Sequence, residues 1–232
     1  MQAAFFDIDG TLSTTTTMFR FREYLLAEAG QPAHVYHGER RLLAEMTAAG
    51  VPRAETCRVY YQSYAGTDAR QVADLAEKWF QHELDSVGFF NPGVLAELGE
   101  HHEAGRLVVL VSGSFRACLA PLARHVRADV LICSEPVVVD GRFTGEVDRA
   151  MIGEAKAAAV RELAARRGID LAHSVAYGDH DSDLPLLRGT GTAVVVGDDA
   201  VMLEQAARHG WRQLPGPAAP AALTPYAPRS SS

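Results

Sequence analysis

Residues Ala3-Ala4-Phe5-Phe6-Asp7-Ile8-Asp9-Gly10-Thr11 join a short apolar run to two carboxylates and a glycine. Such a run predicts a buried strand, of the kind found in parallel sheets covered by helices. The glycine predicts a turn directly after the strand. Because the chain turns there, we expect Asp7 and Asp9 to face one pocket where the strand ends.

The segment of residues 13–88 carries only helical patterns. Apolar side chains recur at three- and four-residue spacing, for example at Cys57, Tyr60, Tyr61 and Tyr64. Glycine- and proline-containing breaks divide the segment into four helices. We interpret the tyrosines as core residues. The whole segment is predicted to be a helical-bundle cap, inserted after the first strand of a sheet domain.

From residue 89 onward, apolar strands alternate with helices. This alternation predicts an α/β fold with a doubly wound parallel sheet. The sheet domain is assigned to residues 1–12 and 89–214, with a hairpin around Asp140-Gly141. Residues 215–232 are rich in Pro, Ala and Ser and are predicted to be a disordered tail. The predicted strands after the cap are Leu107–Val111, Val130–Cys133, Ser174–Tyr177 and Ala193–Val196.

Residues suited to binding or catalysis follow two of these strands. Ser112 and Gly113 follow the second strand, and Asp179 and Asp183 follow the strand that ends at Tyr177. Lys156 is one of only two lysines and stands near the start of a predicted helix. Since the carboxyl ends of parallel strands meet at one edge of the sheet, these groups should join Asp7 and Asp9 there.

This ordered set of motifs resembles the haloacid dehalogenase-like superfamily, and the resemblance covers residues 3–210. Asp7-x-Asp9-Gly-Thr is similar to its first motif, Ser112 to its second, Lys156 to its third and Gly178-Asp179-x-x-x-Asp183 to its fourth. The small helical insertion and Ser112-Gly113-Ser114-Phe115 resemble the phosphoserine phosphatase-like group. True dehalogenases of the superfamily lack the acid at the position of Asp9, so a phosphate reaction is favoured.

The resemblance implies a phosphatase that works through an aspartyl-phosphate. Asp7 would be the nucleophile and Asp9 the acid and base. Ser112, Gly113 and Lys156 would bind the phosphoryl oxygens. Adjacent carboxylates need a cation to ionise together, and a hard cation that prefers oxygen ligands, Mg²⁺, fits. Its expected ligands are Asp7, the Asp9 carbonyl and Asp179, and Asp183 would hold a metal-bound water or a neighbouring loop.

The substrate is less constrained than the reaction. A small cap that closes over the site suits a small phosphorylated metabolite. Phosphoserine phosphatases carry a Glu seven residues after the acid/base Asp, where this chain has Thr16. A phosphorylated amino alcohol, a polyol phosphate and a phosphoserine-like ester therefore all stay open. Arg20, Arg22 and Arg58 are the candidate selectivity residues of the cap.

Composition narrows the remaining function classes. The net charge of −7 argues against nucleic acid and anionic membranes as partners. No apolar stretch has the length of a membrane span. Three separated cysteines, Cys57, Cys118 and Cys133, indicate reduced core residues of a cytoplasmic protein. The motifs also allow a phosphotransferase with the same intermediate, or a binding or regulatory domain without activity. They leave the oligomeric state open.

Overall fold

The computed structural model describes residues 1–86, 88–216 and 225–227. A seven-stranded sheet has the order β4-β3-β2-β1-β5-β6-β7 and is parallel except for β4. This confirms the predicted doubly wound α/β fold. The strands are β1 (Ala3–Phe6), β2 (Leu107–Phe115), β3 (Val130–Val139), β4 (Arg142–Arg149), β5 (Val175–Gly178), β6 (Thr192–Val196) and β7 (Arg212–Leu214).

The described helices lie between these strands. Four of them, α1 to α4, fall in the segment after β1 and before the next helix, α5. Their bounds are α1 (Thr17–Glu28), α2 (Ala33–Ala48), α3 (Arg53–Gln62), α4 (Ala69–Asp85), α5 (Pro92–Glu103), α6 (Arg116–His125), α7 (Glu154–Arg167), α8 (Leu184–Arg188) and α9 (Ala200–His209). Within the described part of the chain, no helix is both long enough and apolar enough to cross a membrane.

Each face of the sheet carries its own apolar cluster. Ala4 and Phe6 of β1 pack into one cluster, and Ala3 and Phe5 pack into the other. This alternation follows from the two-residue period of a strand. The first cluster extends into the inserted helices through residues such as Trp79. The four helices between β1 and α5 are therefore packed against the sheet by a continuous apolar core.

The β3–β4 hairpin combines the predicted strand Val130–Cys133 with the predicted hairpin around Asp140-Gly141. β3 runs beyond Cys133 to Val139, so the predicted strand and the first arm of the predicted hairpin are one strand. Asp140 and Gly141 both have positive φ angles, 49° and 77°, as the expected hairpin turn requires. β3 therefore pairs parallel with β2 and antiparallel with β4.

Two further differences concern β2 and β7. β2 continues to Phe115, past the predicted end at Val111, and α6 begins directly after it at Arg116. Ser112 and Gly113 therefore lie within the last part of β2. The short edge strand β7 was not predicted, because three residues carry too little pattern to identify a strand.

The predicted tail is described only at residues 215–216 and 225–227, and the rest of it lies outside the described residues. The Asn91 side-chain amide donates to the Pro215 carbonyl at 3.3 Å. Tyr226 lies against α1 and α4, where its ring is 4.0 Å from the Arg20 guanidinium and its hydroxyl bonds Glu83. The chain after β7 thus contacts the inserted helices.

Candidate active site

Asp7 follows the last residue of β1 and begins a tight loop. Its amide donates to the Tyr177 carbonyl of β5 at 3.0 Å, and the Gly10 amide donates to the Ser13 carbonyl at 3.0 Å. Gly10 has a φ of +92°, and a Cβ there would lie 2.3 Å from Oδ2 of Asp179. Glycine is therefore required both by the backbone conformation and by the close approach of Asp179.

Lys156 joins two of the predicted carboxylates. It lies in the first turn of α7, and its Nζ donates to Asp7 Oδ1 at 2.5 Å and to Asp183 Oδ1 at 2.6 Å. All three side chains are buried. The second oxygen of Asp183 accepts from the His180 amide at 3.3 Å, which ties the loop after β5 to the same carboxylate.

The charges of the site influence one another strongly. Burial lowers the pKa of Lys156, but Asp183 and Asp7 outweigh this effect and hold that pKa above its ordinary value. Burial raises the pKa of Asp7. Lys156 opposes that rise, and the carboxylates of Asp183, Asp179 and Asp9 add to it. One ammonium group thus faces several carboxylates, and a further cation would stabilise their ionised forms.

Asp9 points toward the start of the inserted helices. Its Oδ1 accepts from the Thr17 amide at 2.7 Å and from the Thr17 hydroxyl at 2.6 Å. The Ser112 hydroxyl is 3.4 Å from its other oxygen. Burial raises the pKa of Asp9, and the Thr17 bonds oppose that rise. A raised pKa suits a group that must donate a proton near neutral pH.

Ser112 and Gly113 lie beside this pair at the end of β2. The Ser112 oxygen accepts from the Ser114 amide at 3.0 Å. The Gly113 carbonyl accepts from the Ser134 hydroxyl at 2.8 Å and from the Tyr61 hydroxyl at 3.1 Å. The backbone at the end of β2 is therefore held by two side chains, those of Ser134 and Tyr61.

The carboxylates form a group that could hold a metal ion. Asp7, Asp179 and Asp183 each offer an oxygen, and these atoms lie within 4.8 Å of one another. Asp179 also accepts from the Thr11 hydroxyl at 2.9 Å. Burial raises the pKa of Asp179, and the neighbouring Asp183 raises it further. An all-oxygen, negatively charged donor set fits Mg²⁺, which prefers oxygen ligands.

The three candidate selectivity arginines are engaged in ion pairs. Arg20 is buried and donates to Glu83 and Glu23, both at 2.9 Å. Arg22 pairs with Glu39 at 2.6 Å. Arg58 is exposed and pairs with Glu55 on its own helix at 3.0 Å. Among the described residues, the ion pairs of these guanidinium groups are with glutamates of the inserted helices and not with Asp7 or Asp9.

Residues of the inserted helices outside the predicted set do contact the site. Thr17 binds Asp9, and Tyr61 binds the Gly113 carbonyl. Arg53 is the first residue of α3. Its guanidinium nitrogen Nη1 lies 2.8 Å from His180 Nδ1 and 3.1 Å from Ser182 Oγ, in the segment after Asp179. Nothing in the local sequence distinguishes these side chains, since their partners depend on how the helices pack against the sheet.

Comparison with known proteins places the chain in a family. A family model for haloacid dehalogenase-like hydrolases matches residues 4–188. The chain is 31% identical over 212 residues to a probable phosphatase of Mycobacterium tuberculosis, covering 90% of this chain and 73% of that protein. It is 29% identical over 214 residues to a phosphoserine phosphatase of the same species, covering 90% and 69%.

A solved structure supports the same fold. The phospho-aspartyl intermediate analogue of a phosphoserine phosphatase superposes with a TM-score of 0.64 at 20% identity, covering 88% of this chain and 90% of that one. The predicted resemblance is therefore confirmed. The chain belongs to the haloacid dehalogenase-like hydrolase family, with phosphoserine phosphatases among its relatives.

Proposed function

We propose that the protein is a magnesium-dependent phosphatase that hydrolyses a small phosphomonoester through an aspartyl-phosphate on Asp7. Family membership and the relatives named phosphatases make the chain a phosphatase. The metal, the intermediate and the substrate class are the proposed part. The observation that supports them is the position of Asp7, whose carboxylate lies beside the Lys156 ammonium and within 4.8 Å of the acidic groups of Asp179 and Asp183.

Asp7 has the surroundings of a nucleophile. Lys156 favours its ionised form against the effect of burial. In the proposed first step, an Asp7 oxygen forms a bond to phosphorus while the bond from phosphorus to the ester oxygen breaks. Asp9 gives its proton to the leaving oxygen. Asp9 then accepts a proton from water, which attacks the aspartyl-phosphate, releases phosphate and regenerates Asp7.

The groups around Asp7 would stabilise the phosphoryl charge. Lys156, the Ser112 hydroxyl and the Gly113 amide are the proposed donors to the phosphoryl oxygens. Asp7, Asp179 and the Asp9 carbonyl would hold Mg²⁺, with Asp183 beside them. The ion, when bound, would neutralise the carboxylates and polarise the phosphoryl group. These donors act in a site where Asp7 and Lys156 are each only 4% exposed, which strengthens their electrostatic effect.

Burial also limits the substrate. Ser112 is 0% exposed and Asp183 is 1% exposed. Side chains of α1 and α3 contact Asp9 and Gly113 beside them. We therefore propose a small phosphorylated metabolite, such as a phosphorylated amino alcohol, a polyol phosphate or a phosphoserine-like ester. The inserted helices would act as its cap and move to admit it.

The direct test is phosphate release by the full chain from p-nitrophenyl phosphate with Mg²⁺. Asp7→Asn should lower kcat by about a thousandfold or more, because an amide cannot attack phosphorus. The matched control is Asp181→Asn, since Asp181 is an exposed acid of the loop after β5. It should keep kcat within about twofold of the wild type.

Two results would contradict the proposal. One is undiminished turnover by pure Asp7→Asn protein, and the other is full activity after exhaustive chelation. If neither result is found, a panel of phosphorylated metabolites, assayed with and without an added alcohol acceptor, would identify the substrate. The same panel would distinguish hydrolysis from transfer of the phosphoryl group.

A further inference from the structure

The last part of β2, between Ser112 and Ser114, contains a peptide group whose orientation is fixed by side chains from other elements. Gly113 lacks a side chain, so packing of its own atoms restrains this peptide weakly. Its carbonyl accepts hydrogen bonds from Ser134 at 2.8 Å and from Tyr61 at 3.1 Å. Because a peptide is planar, holding the Gly113 carbonyl also fixes the direction of the Ser114 N–H.

That N–H acts on the predicted phosphate-binding hydroxyl. The Ser114 amide donates to Ser112 Oγ at 3.0 Å. An oxygen that accepts this bond turns its own hydrogen elsewhere, and its acceptor here, Asp9 Oδ2, lies at the long distance of 3.4 Å. The Ser112 hydrogen is thus only weakly engaged and can be donated to a phosphoryl oxygen.

Tyr61 is well suited to hold this arrangement. Its side chain is 1% exposed, and its ring packs edge-on against Phe115 at 5.7 Å. Burial raises the pKa of Tyr61 well above its ordinary value, so the phenol keeps its proton and stays a donor. Tyr61 belongs to α3 of the inserted segment, whereas Gly113 belongs to the sheet domain. The bond therefore depends on the docking of the inserted helices.

We propose that Tyr61 is a positioning residue for phosphate binding, whose hydroxyl orients the Ser112 hydroxyl through the Gly113–Ser114 peptide. This inference rests on the proposed phosphatase function, because it assigns Ser112 to the phosphoryl group. Consecutive hydrogen bonds polarise one another. Loss of the Tyr61 hydroxyl should therefore weaken the bond that Ser112 donates to a phosphoryl oxygen. The inserted helices thereby contribute to binding the group that all substrates share.

The neighbouring Tyr60 provides a matched control. It is also buried and also lies on α3, but its hydroxyl bonds the Met18 carbonyl at 2.6 Å and the Tyr64 hydroxyl at 2.8 Å. Both of those partners lie within the inserted segment. Tyr60→Phe and Tyr61→Phe thus each remove one buried hydroxyl from α3 and keep the ring. Only Tyr61→Phe removes a bond to Gly113 at the end of β2.

The experiment measures the affinity of the full chain for inorganic phosphate by calorimetry with Mg²⁺, together with kcat, KM and melting temperature. Tyr61→Phe should weaken phosphate binding by about tenfold, while Tyr60→Phe should stay within about twofold of the wild type. Both variants should melt earlier, since each loses a buried hydrogen bond. A purely structural role of Tyr61 would lower the melting temperature and leave phosphate affinity unchanged.

Unchanged phosphate affinity in Tyr61→Phe, or an equal loss in Tyr60→Phe, would overturn the inference. If Tyr61→Phe does not fold, Ser134→Ala removes the other donor to the same carbonyl. It should weaken phosphate binding in the same direction, and unchanged affinity there would also overturn the inference. A wild-type chain that binds phosphate in a Tyr61-dependent way but hydrolyses no ester would refute the proposed function alone.

Discussion

Thr17 donates both its amide and its hydroxyl to one oxygen of Asp9, at 2.7 and 2.6 Å. Thr17 is the first residue of α1, and the preceding Thr16 makes no side-chain cap for that helix. Asp9 therefore satisfies a free amide at the start of the helix. The proposed acid and base is thus held by the first helix of the inserted segment.

This contact predicts a leaving-group effect. Thr17→Val removes the hydroxyl bond and should leave Asp9 less well oriented for proton donation. We expect kcat on a simple alkyl phosphate to fall by about tenfold, because its leaving alkoxide needs a proton. Turnover of p-nitrophenyl phosphate should change by less than about twofold, since that leaving group is stable without one. The measurement is kcat on both esters.

Thr17→Ser keeps the hydroxyl and is the control for the same position. It should retain most of the activity on the alkyl ester. Equal losses on both esters in Thr17→Val would indicate general damage to the site and would refute an orienting role for Thr17.

Lys156 contacts Asp7 and Asp183 and should matter for every substrate. Lys156→Ala would remove the proposed charge-assisted bond to the phosphoryl oxygens. The expected loss is about 2–4 kcal/mol in transition-state stabilisation, measured as kcat/KM on one generic and several metabolite esters. The change also leaves Asp7 and Asp183 without their ammonium partner, so folding should be checked by circular dichroism.

The exposed Lys78 gives the matched control, because it is the other lysine of the chain. Lys78→Ala should leave kcat/KM unchanged. A Lys156→Ala variant that discriminates among esters, with some turned over normally, would assign Lys156 to selectivity instead of the shared chemistry.

Arg20 and Arg58 should differ in their effect on stability. Arg20→Ala would leave Glu83, which is 0% exposed, without its guanidinium partner. We expect a loss of about 3–5 kcal/mol in the free energy of unfolding. Arg58→Ala breaks an exposed pair with Glu55 and should cost less than about 1 kcal/mol. Urea denaturation of both variants measures the difference.

The same variants test the predicted selectivity roles. If Arg20 and Arg58 serve only to form these ion pairs, the order of kcat/KM among substrates should be unchanged in both variants. A changed ranking in Arg20→Ala, at a temperature where it is fully folded, would restore Arg20 as a selectivity residue.

His101 predicts a pH dependence of stability. Its Nε2 lies 2.8 Å from the Tyr177 hydroxyl, which donates to Glu97 at 2.7 Å. Burial and the nearby Arg106 lower the pKa of His101, and Glu97 only partly opposes them. The other charged neighbours are Arg212 and His102.

Because the folded pKa of His101 lies below the unfolded one, the unfolded chain takes up this proton first as the pH falls. The stabilisation is complete above about pH 6.5 and is lost as the pH falls through the folded pKa. The melting temperature of the wild type should therefore fall as the pH is lowered from about 7.5 to about 5.5. The melting temperature of His101→Gln should fall less over the same range. Equal drops would be evidence against this assignment, as would a His101 pKa above 6.5 by NMR.

The sequence predicted the elements that carry the site because their signals are local. An apolar run followed by Asp7 or by Ser112 marks the end of a buried strand, and the two positive φ angles at Asp140-Gly141 follow from the chemistry of that turn. Parallel strands end at one edge of a sheet, so Asp7 and Asp179 could be placed together although they are far apart in the chain. Lys156 could be added because it lies in the first turn of a predicted helix at the same edge.

Tertiary structure alone decided which side chains of the inserted helices meet that edge. Tyr61 has the spacing of a core residue, and it is one, but its hydroxyl also reaches Gly113, 52 residues away. Arg20 could equally have faced a substrate, yet it lies in an ion pair with Glu83, 63 residues away. The period of a helix indicates which face is buried, but the docking angle of the helix determines which partner each polar tip meets.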